Sequence, residues 1–118
     1  MAILVVEGDQ LIMRMTTLEH VEGFHQDITV PLSAVRAVRV SANVWSELRG
    51  IRAPGTGIPH VVAVGTRRGS FGKDFAAVHG TGRGVVVELS GQAYGRLVLT
   101  VDDPDTVVQH VADATRQR

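Results

Sequence analysis

Apolar residues along this chain recur mostly with period two or in short unbroken runs, which is the spacing of strands, and valine dominates them. Ala2 to Val6 predicts a first strand and Gly8-Asp9-Gln10 a turn. Leu11, Met13 and Met15, alternating with Ile12, Arg14 and Thr16, then predict a second strand closing a hairpin on the first. After a polar stretch from Thr17 to Gln26, Ile28, Val30 and Leu32 alternate with Asp27, Thr29 and Pro31 as a third strand. Pro31 has no N–H to donate, so that strand ends there or faces outward at an edge. A turn at Ser33-Ala34 leads to a fourth strand at Val35 to Val40.

Helical spacing appears twice. Val44, Trp45 and Leu48 predict a one- to two-turn helix over 43–49, stopped by Gly50, with Trp45 buried as the plug of a barrel end. At the other end, Asp103 is a suitable N-cap and Pro104 suits the first helical position. Val107, Val108, Val111 and Ala112 form one apolar stripe opposite Asp105, Gln109 and Asp113. Between the two, Arg52 to Pro59 holds two prolines and two glycines and reads as a loop. Further strands are expected at His60 to Gly65, Asp74 to His79, Gly84 to Leu89 and Arg96 to Val101, joined by glycine-rich turns, one of them at Arg67-Arg68. The pattern therefore predicts a mainly β barrel or sandwich of seven or eight antiparallel strands, capped by one C-terminal amphipathic helix.

Composition narrows the class. A chain of 118 residues, 44% hydrophobic and 20% charged, suits a single domain over 1–118 that buries a true core. Without cysteine there is no disulfide, thiolate metal site or cysteine nucleophile, and the expectation is a cytoplasmic protein. Apolar runs reach only four or five residues, as at Ala2 to Val6, against the roughly 20 that a bilayer needs, so membrane contact would be peripheral. The same run is too short for a secretory signal.

Strands in meander followed by one amphipathic helix resemble the pleckstrin-homology-like fold over the whole chain. Locally, Pro31-Leu-Ser-Ala-Val35, the segment Leu48 to Gly57 and Asp74-Phe-Ala-Ala-Val-His-Gly80 are similar to a group of short, uncharacterised actinobacterial proteins of bacterial pleckstrin-homology-like type. Members of the fold that bind phosphoinositides use basic residues around the first hairpin turn. Here that turn is Glu7-Gly-Asp-Gln10, whose carboxylates repel phosphate, so this property does not carry over. What the resemblance implies is an interaction module, often homo-oligomeric.

The formal charge is zero, but it is segregated. Residues 49–84 hold Arg49, Arg52, Arg67, Arg68, Lys73 and Arg83 against Asp74 alone, a surplus of five that the remainder balances. Nine of the 13 glycines lie in the same span and permit positive-φ nests for an anion, though Gly55-Thr-Gly57 and Gly80-Thr-Gly-Arg-Gly84 match no phosphate-loop or dinucleotide fingerprint. Aromatic residues are only 4% of the chain and none but Phe71 and Phe75 interleave with the basic run, so a base-stacking platform is poorly supplied and nucleic acid is disfavoured.

His20, His25, His60, His79 and His110 lack paired metal-ligand spacing. No serine sits in a nucleophile-elbow context, and Asp102, Asp103 and Asp105 are accounted for by helix capping. No cofactor or catalytic set is implied. The leading expectation is a non-catalytic interaction module that self-associates, as a symmetric dimer through Ala2 to Val6, or binds a protein partner along a strand edge. The alternative is an anion- or ligand-binding domain using Arg49, Arg52, Arg67, Arg68, Lys73 and Arg83.

Overall fold

Val85, Val86 and Val87 are consecutive and buried, as are Ala76 to Val78 and Leu97 to Leu99. Successive strand residues point to opposite faces, so strands of this kind are stable only in a sheet covered on both sides. The computed structural model, which describes residues 3–14, 27–58, 62–80 and 82–116, has that arrangement.

The central layer is a six-stranded sheet of β4 (Val35–Ser41), β5 (Ile51–Ile58), β6 (Val62–Gly69), β7 (Gly72–His79), β8 (Gly84–Leu89) and β9 (Arg96–Leu99), in the order β4-β8-β9-β7-β6-β5. A three-stranded antiparallel sheet, β1 (Ile3–Glu7), β2 (Gln10–Arg14) and β3 (Ile28–Pro31), and one helix, α1 (Pro104–Arg116), cover its main face. Leu11 and Met13 of β2, Ile28 and Val30 of β3 and Val111 of α1 meet Phe75, Ala77, Val85, Val87, Leu97 and Leu99 there. The β1–β2 hairpin and the alternation of β2 and β3 follow the sequence expectation, with exposed Pro31 ending an edge strand. The Asp103 carboxylate accepts from the Thr106 N–H and opens α1 as an N-cap.

The second face is covered by the segment following β4. Asn43 Oδ1 accepts from the Trp45 N–H, and a 3-10 turn over Val44–Glu47 lays Val44, Trp45 and Leu48 on Ala76, Val78, Val86 and Val98. The Val44 N–H donates to the Gly82 carbonyl at 2.9 Å, and the Trp45 indole N–H donates to that of Gly80 at 2.5 Å. The expected helix is thus one short turn. Leu48 is already extended, because the chain must lie flat across the sheet to reach β5.

Four expectations are corrected. The sheets do not close into a barrel, since β4 and β5 end the six-stranded order, and Trp45 is a half-buried cover of the second face rather than a barrel plug. Nine strands are described rather than seven or eight. They are not all antiparallel: β9 turns back from β8 into the place beside β7 and so runs parallel to β7. The segment 52–59 is strand β5 up to Ile58, with Ala53 and Pro54 absorbed in a bulge between Arg52 and Gly55. Proline is tolerated at a bulge on an edge strand because no ladder bond is lost. Among the described residues no helix is long and apolar enough to cross a membrane.

The seat of the covering segment gives a prediction. A methyl group on Gly84 would overlap the Val44 side chain and the Leu99 carbonyl. Gly84→Ala should therefore cost about 1–3 kcal/mol in urea unfolding by overpacking. Unchanged stability would contradict the close seating of Val44.

Candidate functional site

The cations of the basic segment do not gather as one group. Cross-strand register stacks Arg52, Arg67 and Asp74 in one row and Ile51, Arg68 and Lys73 in the next, and Gly69 opposite Gly72 closes the hairpin around Ser70 and Phe71. Arg67 and Arg68 are therefore strand residues of β6, not the turn. The strand runs on through them because Arg67 donates from Nε to the Arg49 carbonyl and from a terminal nitrogen to that of Gly50, both at 3.0 Å. Arg83 lies elsewhere, paired at the surface with Asp105 of α1 at 2.6 Å.

Arg49 leaves the covering segment at this hairpin end. Its Nε donates to Asp74 Oδ2 at 2.6 Å and a terminal nitrogen to Oδ1 at 3.1 Å. The Asp74 side chain is only 3% exposed, so both carboxylate oxygens meet a charge-assisted partner where water is scarce. Those bonds hold the Arg49 guanidinium above its ordinary pKa. The guanidinium carbon lies 4.1 Å from the centroid of the Phe71 ring, within cation–π range. Gly50, at φ +79°, makes the opening for that ring, since a Cβ there would meet both Phe71 and the Arg68 carbonyl. Phe71 is thereby held in place while remaining, with Ile3, a large exposed hydrophobic residue among the described residues.

On the main-face side, alternation along β6 and β7 puts Arg68 in line with buried Val64 and Thr66, and Lys73 in line with Phe75. The two cations are direct cross-strand neighbours. The Lys73 ammonium lies 5.4 Å from the Tyr94 ring centroid, and Tyr94 packs edge-on against core Phe75 with centroids 5.7 Å apart.

A second ionic cluster secures the covering segment. Arg39 of β4 makes a two-pronged bond to Glu47 at 2.7 and 2.9 Å, and the Ser41 hydroxyl donates to the same carboxylate at 2.8 Å. Arg96 of β9 pairs with Glu88 at 3.1 Å and donates to the Glu47 carbonyl at 3.0 Å. Hydrogen bonds from Arg39, reinforced by Ser41 and by the nearby charge of Arg96, lower the Glu47 carboxyl to about 2.

Sequence reasoning met Phe71 as an aromatic beside the basic run without assigning it a role, and missed Tyr94 and the Glu47 cluster. A usable signal was present at the hairpin, where Gly69 and Gly72 bracket a two-residue turn. Of the histidines, His79 is half-buried at the end of β7 and His110 is exposed on α1, while His20, His25 and His60 lie outside the described residues. No group of three metal-ligating side chains occurs among the described residues. A shallow groove of about 390 Å³ on α1 is lined by Asp105, Thr106, Gln109, His110 and Asp113. Its carboxylates already take Arg83, Gln109 and Arg116.

Glu47 gives an acid-stability prediction. A carboxyl with folded pKa about 2 against an ordinary 4.5 binds fewer protons in the folded chain. Its contribution is complete above the ordinary value and is lost as pH falls toward the folded one. Melting followed by Trp45 fluorescence should show Glu47→Gln less stable than the parent at neutral pH, with the gap narrowing through that window. A gap independent of pH would contradict the ionic role.

Comparison with known proteins finds no match for the chain among protein-family models, curated proteins or solved structures.

Proposed function

We propose that the chain is a non-catalytic interaction module of pleckstrin-homology-like type that holds a protein partner, or a second copy of itself, through the tip of the β6–β7 hairpin. The supporting observation is Phe71, an exposed aromatic ring fixed from behind by Arg49, which is itself locked to buried Asp74. Interfaces concentrate binding energy in such aromatic and arginine anchors, and a ring fixed in advance loses little freedom on association. The carboxylates beside it serve structure: Asp74 takes Arg49, and Glu47 takes Arg39 and Ser41. The mainly β layers and the closing C-terminal helix favour the pleckstrin-homology-like reading, whereas the parallel β7–β9 pair departs from a simple meander.

Anion binding by all six basic residues is less well supported, because Arg83 is remote and Arg49 and Arg67 have internal partners. The first hairpin is also a weaker surface than the sequence suggests. Leu4 and Val6 pack onto the core, which leaves Ile3 and half-buried Val5 facing out.

A photoreactive phenylalanine analogue at Ser70 tests the reading in the native cell. One discrete adduct is expected, weakened by Phe71→Ser and missing when the analogue replaces Gln92 in the β8–β9 loop. An adduct at twice the chain's mass identifies a second copy. Identical, unselective labelling from both positions, or none, would contradict docking at the tip.

A further inference from the structure

The outward face of the first sheet carries an apolar centre between two ends of opposite charge. Leu4, Val6, Leu11 and Met13 turn to the core, so the residues between them point away from it. β1 alone therefore offers few apolar residues outward, and β2 completes the strip. Val5 and Ile12 are cross-strand partners at its centre, with exposed Thr29 beside Ile12 and exposed Ile3 toward one end. Arg14 stands at that end, opposite Ile3, and Glu7 stands at the other, opposite Gln10.

Arg14 and Glu7 are bonded to each other at 2.7 Å, although four residues of strand, about 13 Å, separate their backbones. Both side chains must lie stretched along the face to meet, over Val5 and Ile12, which are half-buried. The bond is a weak lock. Its side chains are 44% and 52% exposed, and ordering two long side chains offsets most of the attraction in such a pair.

We infer that a second copy of the chain stacks on this face about a twofold axis, with the Arg14–Glu7 pair exchanged between the copies. The axis runs across the strands through Val5 and Ile12, so it turns the positive end of one copy onto the negative end of the other, twice. Stacked sheets lie about 10 Å apart, so each arginine reaches the partner's Glu7 at no greater stretch than it makes within its own chain. The number of ion pairs is unchanged. What is gained is burial of Ile3, Val5 and Ile12 once the arginine stems swing off them. The charge pattern selects the occupant, because a partner of single sign would match one end of the face and be repelled by the other. No residue of the β6–β7 tip takes part, so this contact stands apart from the docking proposed there. A face of three short strands supports a weak dimer that is lost on dilution.

Sedimentation equilibrium of the full chain tests this. The average mass should rise from that of one chain toward that of two between about 10 µM and about 1 mM. Glu7→Arg and Arg14→Glu should each weaken self-association about tenfold or more, because like charges then meet across the axis. Mixed together, the two variants should associate at least as well as the parent, since both contacts of the mixed pair join an arginine to a glutamate. An ion pair that serves only the hairpin of its own chain gives no such rescue. Ile12→Lys should abolish association and Phe71→Ser should leave it unchanged, with Trp45 fluorescence showing that each variant is folded. The chain has no cysteine, so Ile12→Cys adds a readout without any change of charge. A short bis-maleimide should link it into a dimer, and should not link Arg36→Cys, whose site is exposed on β4.

A single-chain mass throughout the range, no rescue in the mixture, equal linking from both cysteine variants or from neither, or a dimer removed by Phe71→Ser and untouched by Ile12→Lys would each overturn the inference. The last result would place the second copy at the tip instead.

Discussion

A sheet whose central strands are apolar on both faces must be covered twice, and that requirement governs the rest of the molecule. The β1–β3 sheet and α1 bury Val85, Val87, Phe75, Leu97 and Leu99 from one side. Val86, Val98, Ala76 and Val78 face the other way and would remain wet without the segment that carries Val44, Trp45 and Leu48 across them. Each buried valine removes enough apolar surface to matter at the scale of about 1.5–3 kcal/mol, so a small domain cannot leave the second face open. The cover is thin, a single 3-10 turn, and it depends on directed bonds: Asn43 at its start, the Gly80 and Gly82 carbonyls in its middle, Glu47 and Arg49 at its end.

The same bonds make the candidate surface. Arg49 is where the cover joins the hairpin, and its bond to Asp74 fixes the guanidinium that lies on Phe71. Rigidity at the exposed tip is thus borrowed from packing at the second face. The two sides of the hairpin then differ in kind. One side is matched internally, with Arg67 on the Arg49 and Gly50 carbonyls and Arg49 on Asp74. The other sets Arg68 directly opposite Lys73 across the strands, with the Lys73 ammonium over the Tyr94 ring.

Elements governed by local patterning were legible in the sequence. Leu11 with Met13, and Ile28 with Val30, alternate and are buried as alternation requires. Asp103 and Pro104 mark the start of α1, and Gly84 to Leu89 is strand β8 to the residue. What escaped depended on partners distant in sequence. Pro54 and Gly55 argue locally for a loop, but the long edge of β6 offers a ladder, and a bulge absorbs the proline. Arg67 and Arg68 look like turn residues by polarity, and the bonds of the first to the Arg49 and Gly50 carbonyls hold it in the strand. The parallel β7–β9 pair has no local signature, because strand order is decided by which edge is open when β9 returns. Of the candidate site, charge segregation was readable. The separation of Arg83 and the anchoring of Phe71 were not, since both rest on pairings across more than twenty residues.

The dependence of the tip on the covered second face is tested most directly by hydrogen exchange at the Val44 amide and the Trp45 indole, whose acceptors are the Gly82 and Gly80 carbonyls. If the segment is a structural layer, both protons should be slowed by roughly a thousandfold or more and respond to urea like the amides of β8, opening only with the whole domain. Exchange at the rate of an exposed loop, with β8 still protected, would show that the second face is not held closed and that Phe71 is not fixed by it.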